Sequence, residues 1–276
     1  MAPTRQHRTA ERRLGTRVAG YAWGPECATG ADPSVARTTT VDLRNSPGCS
    51  VCTYGRVPRC WIDGRHDLKL DWANCTNVRD LGNLRAEGRL ITRGEALVRA
   101  DNLDQLTAVG RSMVEELGPS LILDVRASWE AEKFVNPYSA STFYRNVPVG
   151  VDTEAEATSV LDDYTVIVDQ GHDRVAAAVA AIAEAPSGPV IVHCHAGRDR
   201  TGIVVAIMLT AVGVSRQDVL DDYAASALTD RDDLDQLMDH VDRAHGGAAR
   251  YLLAGGLSSQ GLSALRRRLL TSPSIR

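Results

Sequence analysis

Val190-Ile191-Val192-His193-Cys194-His195-Ala196-Gly197-Arg198-Asp199-Arg200-Thr201-Gly202-Ile203 passes from an apolar tetrapeptide, through a polar turn built around Gly197, into a second apolar run. The tetrapeptide follows the breaker Pro186-Ser187-Gly188-Pro189 and is short, continuous and β-branched, which predicts a strand buried on both faces. From Arg200 to Val212 the chain is apolar nearly all round, which predicts a helix enclosed by protein, and Gly213 is a plausible stop for it. A buried strand feeding a buried helix is a unit of α/β architecture.

The surroundings agree. Val175 to Ala185 is Ala-rich and reads as a helix, and Leu121-Ile122-Leu123-Asp124-Val125 follows the turn Gly118-Pro119-Ser120 as a second buried strand ending near Asp124. Downstream, Ser215 with Asp218 three positions later predicts a capped helix start. The run Asp230-Arg231-Asp232-Asp233 reads as an exposed face or another helix start, and the segment from Val151 to Gln170 as a lid helix. Strands alternating with helices predict an α/β domain in which helices cover a sheet, with the 194–199 turn between a central strand and a buried helix.

That domain is expected over residues 66–276. Residues 1–65 hold ten Arg against five Asp or Glu, are broken by Pro3, Pro25, Pro33, Pro47 and Pro58, and show no sustained periodicity. Such a segment buries too little apolar surface to offset its ordering entropy, so a disordered basic arm is expected. It carries Cys27, Cys49, Cys52 and Cys60, four thiols that could complete a small zinc knob, although the spacing matches no standard finger. In the whole 276-residue chain no run reaches the roughly 18 apolar residues of a membrane helix, so no integral membrane protein is expected. The N-terminus shows no apolar secretory core, and the net charge of −4 argues against nucleic acid as the main partner.

The chemistry lies in the turn. A free thiol titrates near 8.5 and is mostly protonated at neutral pH, but backbone N–H groups at a helix mouth and a guanidinium lower that value by several units. The same converging N–H groups suit a phosphate dianion. Cys194 is therefore a candidate nucleophile and residues 195–200 a candidate phosphate cradle: His195, Ala196, Gly197, Arg198, Asp199 and Arg200. Gly197 lets the loop turn tightly, and Arg200 can bind two phosphoryl oxygens where lysine would offer a point charge.

HCHAGRDRTG at 193–202 resembles the HCxxGxxR[ST]G signature of the cysteine-dependent protein tyrosine phosphatases, in particular the bacterial tyrosine/serine branch with HCxxGxDRTG. Asn77-Val78-Arg79-Asp80-Leu81-Gly82-Asn83-Leu84 is similar to that branch's NFRDLGG segment, and Leu123-Asp124-Val125-Arg126 with Glu130 to its DLRxxxE segment. The tail, Gly246 to Leu252 and Leu265 to Leu269, resembles its closing helices, so the likeness spans about 66–270.

The resemblance implies a tyrosine-phosphatase-like fold and two-step hydrolysis of phosphate monoesters without a metal or other cofactor. Cys194 would form a phosphocysteine, Arg200 and the loop N–H groups would bind the phosphoryl oxygens, and Thr201 would stabilise the departing thiolate. The general acid is Asp199 by family pattern or Asp124 by its place at a strand end. His193 is expected to hydrogen-bond the loop. Arg79 and Asp80 are expected to form an ion pair shaping it, and Arg126 with Glu130 either a helical salt bridge or a support for the phosphate site. Substrates would be phosphotyrosine proteins first, then phosphoserine, phosphothreonine or phosphoinositides. A thiolate enzyme suits the cytoplasm, with signal-less export open. Rival readings are a phospho-binding pseudophosphatase, a regulator using the basic arm, and an arsenate reductase with Cys75 as resolving thiol.

Overall fold

The computed structural model describes residues 69–150 and 159–273, together with the backbone of two short strands, β1 (Trp61–Ile62) and β2 (Arg65–His66), which pair antiparallel. The rest of the basic arm, its four cysteines included, lies outside the described residues. In chain order the elements continue with β3 (Arg79–Asp80), β4 (Arg85–Ala86), β5 (Leu90–Thr92), β6 (Leu97–Ala100), α1 (Ala108–Leu117), β7 (Leu121–Asp124), α2 (Ser128–Lys133) and β8 (Tyr144–Asn146). They close with α3 (Val160–Gln170), α4 (His172–Glu184), β9 (Val190–His193), α5 (Asp199–Ala211), α6 (Arg216–Ala224), α7 (Arg231–His245), α8 (Ala248–Ala254), α9 (Ser259–Leu269) and β10 (Leu270–Thr271).

The main sheet runs β3-β6-β9-β7-β8, with β3 antiparallel and the others parallel, so β9 is central as its apolar run predicts. A smaller antiparallel sheet runs β10-β5-β4. Side chains alternate across the main sheet because strand period is two. Leu121, Leu123, Val190 and Val192 enter a large core shared with α3 to α9, while Ile122, Ile191, Val98 and Ala100 enter a smaller one with Val114 of α1, Leu103 and Trp72. Helices therefore cover both faces, and every residue of β6, β7 and β9 is buried.

Local signals are realised closely. Gly118 ends α1 in the left-handed region, Gly213 follows α5 at φ +90°, and Ser215 accepts from Asp218 N at the start of α6. The Asp218 carboxylate turns to Arg85 instead of completing a reciprocal cap. Asp230 caps α7, so the acidic run is a helix start. Of the segment 151–170, Val160–Gln170 forms α3, and residues 151–158 lie outside the described residues.

Candidate active site

Ala100 of β6, His193 of β9 and Asp124 of β7 lie side by side in register, so three parallel strands release their chains at one edge, where open α/β sheets place ligands. The loop 194–198 leaves β9 there and enters α5. Its carbonyls are tied to the surrounding scaffold. Asn102 N–H donates to His195 O at 2.9 Å, Asn77 Nδ2 to Ala196 O at 2.9 Å, and Arg99 to Gly197 O at 2.5 Å. Across a trans planar peptide the following N–H points opposite to the carbonyl. Anchoring those oxygens outward therefore turns the N–H groups of Ala196, Gly197 and Arg198 toward the loop's interior, the arrangement an anion requires.

Gly197 has φ +64°, and a Cβ there would overlap the Ala100 carbonyl and sit 2.7 Å from Asp101 N. Only glycine allows the loop to lie this close to β6.

The anchors are themselves anchored. Arg99 is fully buried and pairs with Asp222 of α6 at 2.6 Å, and Arg79 pairs with the same carboxylate at 2.7 Å. Arg79 also bonds Asn77 Oδ1, which orients the amide that holds Ala196. Burial opposes the Asp222 charge, but Arg99 and Arg79 together hold its carboxyl below the usual range. The expected Arg79–Asp80 ion pair is thus replaced by Arg79–Asp222. Adjacent strand residues face opposite ways, and the Asp80 carboxylate instead accepts from the N–H groups of Gly82 and Glu95.

Arg126 and Glu130 also part company. Arg126 sits ahead of α2 and is clamped to Asp124, with Nε 2.9 and 3.0 Å from the two carboxylate oxygens, while reaching Asn102 Oδ1 at 2.8 Å. Glu130, inside α2, meets Arg200 in a two-point pair and accepts from Ala127 N–H at 3.0 Å. The helical Arg126–Glu130 bridge does not form because Arg126 lies outside the helix; Glu130 instead braces Arg200 in the first turn of α5. Burial works against the Arg200 charge, but the Glu130 hydrogen bonds and the charge at Cys194 push its pKa up.

Asp124 is wholly buried, and Tyr144 donates to its Oδ2 at 2.8 Å beside Arg126. Burial alone would raise its pKa, yet the hydrogen bonds and charge of Arg126 bring it below the carboxylate norm. Asp199, in contrast, opens the first turn of α5 with its side chain 35% exposed. Arg198 Nε lies 3.1 Å from both its oxygens, and Tyr164 of α3 donates its hydroxyl to Oδ1. Tyr223 lies 2.7 Å from the Tyr164 hydroxyl, its own pKa pushed up to about 12 by burial.

His193 is buried, and burial lowers its pKa. Tyr138 N–H bonds Asn136 Oδ1, which aims the Asn136 amide N–H at His193 Nε2, 3.0 Å away. Nε2 must then accept, leaving Nδ1–H to donate to Cys194 O at 3.2 Å. Histidine hydrogen-bonds the loop, as expected. Cys194 is buried at 2% exposure, and Thr201 is buried with its hydroxyl lacking a hydrogen-bond partner among the described residues. Cys75 donates its thiol to Asp101 at 2.6 Å, and burial pushes its pKa far up, which makes it a poor resolving thiol.

Beyond the residues expected from the sequence, the site takes in Arg99, Asp222, Asn136 and Tyr164, and gives Asn77 of the 77–84 segment a contact of its own with the loop. One signal was available: an arginine in the buried run Leu97-Val98-Arg99-Ala100 demands a buried counter-charge.

A strand-loop-helix that buries a cysteine at the mouth of a helix, six residues before a carboxylate-braced arginine, is an arrangement suited to binding an anion beside a thiol. The chain belongs to the tyrosine phosphatase family, whose model matches residues 70–233. A protein of Cupriavidus necator assigned by name to the tyrosine-protein phosphatases is 28% identical over 178 residues, 60% of this chain and 64% of that protein. A tyrosine-protein phosphatase of Nostoc commune is 27% identical over 143 residues, 48% of this chain and 49% of its own length. The triple specificity protein phosphatase PtpB of Mycobacterium tuberculosis is 55% identical over 38 residues, 14% of each chain. The matches thus cover less than two thirds of each relative's length. No helix among the described residues is long and apolar enough to cross a membrane.

Proposed function

We propose that residues 66–276 form a phosphatase domain that hydrolyses phosphotyrosine on proteins through a phosphocysteine at Cys194. The observation that carries the reading is the loop around Cys194, with three carbonyls drawn outward and Arg200 held by Glu130. The Cys194 thiolate attacks phosphorus while the P–O ester bond breaks, and Asp199 gives its proton to the leaving oxygen. Water then attacks the phosphocysteine, Asp199 takes its proton, and inorganic phosphate leaves with return of the thiolate. Transfer through a loose transition state depends on charge and position, which Arg200 and the loop amides supply. The Thr201 hydroxyl, buried in the first turn of α5, would steady the departing thiolate.

Asp199 is preferred as the acid because it is accessible, whereas Asp124 has both oxygens bound within the core. Phosphoserine, phosphothreonine and phosphoinositides are further substrate classes, supported by the short match to a triple specificity relative. A catalytic thiolate favours a reducing cytoplasm.

The test is hydrolysis of p-nitrophenyl phosphate and of an alkyl phosphate against pH. Wild type is compared with Cys194→Ser, Asp199→Asn and Asp124→Asn. Cys194→Ser should be inactive, and Asp199→Asn should lose about 10²- to 10⁴-fold on the alkyl ester, where leaving-group protonation matters most. A wild type that binds phosphopeptides without turnover would make the chain a binding module instead.

A further inference from the structure

Away from the Cys194 loop, Asp169, His240 and His245 converge where the C-terminal ends of α3 and α7 meet. His240 Nε2 lies 2.9 and 3.1 Å from the two Asp169 oxygens, and His245 Nε2 lies 2.9 Å from Oδ1. The three donor atoms fall within 4.8 Å of one another. A tetrahedral ion with bonds of about 2.0–2.1 Å sets its donors about 3.3 Å apart, so small side-chain adjustments convert one arrangement into the other.

The rings are pre-placed. His245 packs edge-on against Tyr251 with centroids 5.0 Å apart and lies beside His172, whose own Nε2 is committed to Tyr251 O at 2.5 Å. Helix ends add a second argument. Asp169 sits one residue before the end of α3, and His245 is the last residue of α7. Both helices therefore present their partially negative ends here, where a carboxylate is unfavourable unless a cation accompanies it.

We propose that Asp169, His240 and His245 bind a divalent transition metal of the Zn²⁺ class and thereby clamp α3 to α7. Two imidazoles and one carboxylate suit such an ion, while Mg²⁺ and Ca²⁺ call for oxygen donors. Three protein ligands leave a fourth position for water. The clamp has a route to the loop. Tyr164, five residues before Asp169 on α3, donates to Asp199, so an ion fixing α3 holds that hydroxyl in place. This consequence rests on the proposed role of Asp199; the binding site does not.

Full-length Cys194→Ser protein is titrated with Zn²⁺, and with Co²⁺ for spectra, beside the same chain carrying His240→Ala with His245→Ala, or Asp169→Asn alone. The parent should bind one more ion per chain than either variant. At a hundredfold excess over Kd its folded-to-unfolded ratio should rise about a hundredfold, seen as a melting-temperature increase the variants lack. Zn²⁺ should also slow hydrogen exchange at 160–170 in the parent alone. An ion held by the N-terminal cysteines announces itself by sulfur-to-cobalt charge transfer and is retained in the variants. Asp169→Asn preserves shape and hydrogen bonding, so it reads the site even if the double variant does not fold. Equal ion counts and equal melting shifts in the parent and Asp169→Asn would overturn the proposal. Turnover is not read, so the outcome is separate from that of the phosphatase reading.

Discussion

Arg200 and Glu130 form a two-point guanidinium–carboxylate pair that joins the first turn of α5 to α2, seventy residues apart in sequence. The planar fork of arginine is thereby fixed in one orientation before any phosphate arrives. A phosphoryl group bound as proposed, through the N–H groups that Glu130 leaves open, would meet a guanidinium already oriented, which lowers the entropy lost on binding.

Replacing Glu130 with Gln keeps the shape but removes the charge and turns one of the two acceptors into an NH2 donor, which lets the guanidinium turn. Hydrogen bonds to charged groups contribute roughly 1.5–3 kcal/mol, so kcat/KM should fall about ten- to a hundredfold. Steady-state kinetics on p-nitrophenyl phosphate checks this, and Glu130→Asp, which keeps the charge on a shorter stem, should fall between the two. A variant with unchanged kcat/KM would show that Arg200 needs no brace.

Tyr164 reaches Asp199 from α3, a contact made by two residues 35 positions apart. Tyr164→Phe removes the hydroxyl and keeps the ring against Tyr223. If the hydroxyl positions a general acid, the loss should depend on the leaving group. We expect up to about tenfold in kcat for an alkyl phosphate and little change for p-nitrophenyl phosphate, whose leaving group needs no proton. Equal losses on both esters would assign Tyr164 to packing alone.

Asp222 lies between two guanidiniums, and its carboxyl is held below its unfolded value of 3.8. A depressed folded pKa means stabilisation that is complete above the unfolded value and disappears as pH falls through the folded one. Asp222→Asn leaves Arg79 and Arg99 without their counter-charge and should cost about 3–5 kcal/mol at pH 7. Urea unfolding should show that gap narrowing as pH falls below about 4, where Asp222 of the unfolded chain begins to bind a proton that the folded carboxylate still resists. A gap independent of pH would mean that the pair contributes shape and not charge.

How much of this could be read in advance follows from the range of each interaction. The strand, loop and helix at 190–211 are encoded locally, by a β-branched run, one glycine at positive φ and an apolar helix, and all of them form as the sequence predicts. Ser215 and Gly213 are likewise local signals, each satisfied within a few residues. The brace around the loop is different. Arg99 finds Asp222 across 123 residues, and Asn77 finds Ala196 across 119, so no window of sequence contains both partners. Spacing even misled at Arg126 and Glu130, because four residues place two side chains together only when both lie in the helix.

Gly197 gives the sharpest test of the loop itself. Its φ of +64° is unfavourable for any residue with a Cβ, and that carbon would press on the backbone of Ala100 and Asp101, which belongs to the sheet edge and has no rotamer to yield. Gly197→Ala should therefore push the loop away from β6 and strain the bonds that Arg99 and Asn77 make to its carbonyls. The amides would lose their common focus although Cys194 and Arg200 remain. Calorimetric titration with vanadate or inorganic phosphate should show affinity reduced by at least about tenfold, the equivalent of about 1.4 kcal/mol. Melting temperature should fall more modestly, since the loss is confined to one turn. Unaltered anion affinity would show that the outward anchoring of the carbonyls is not what forms the cradle.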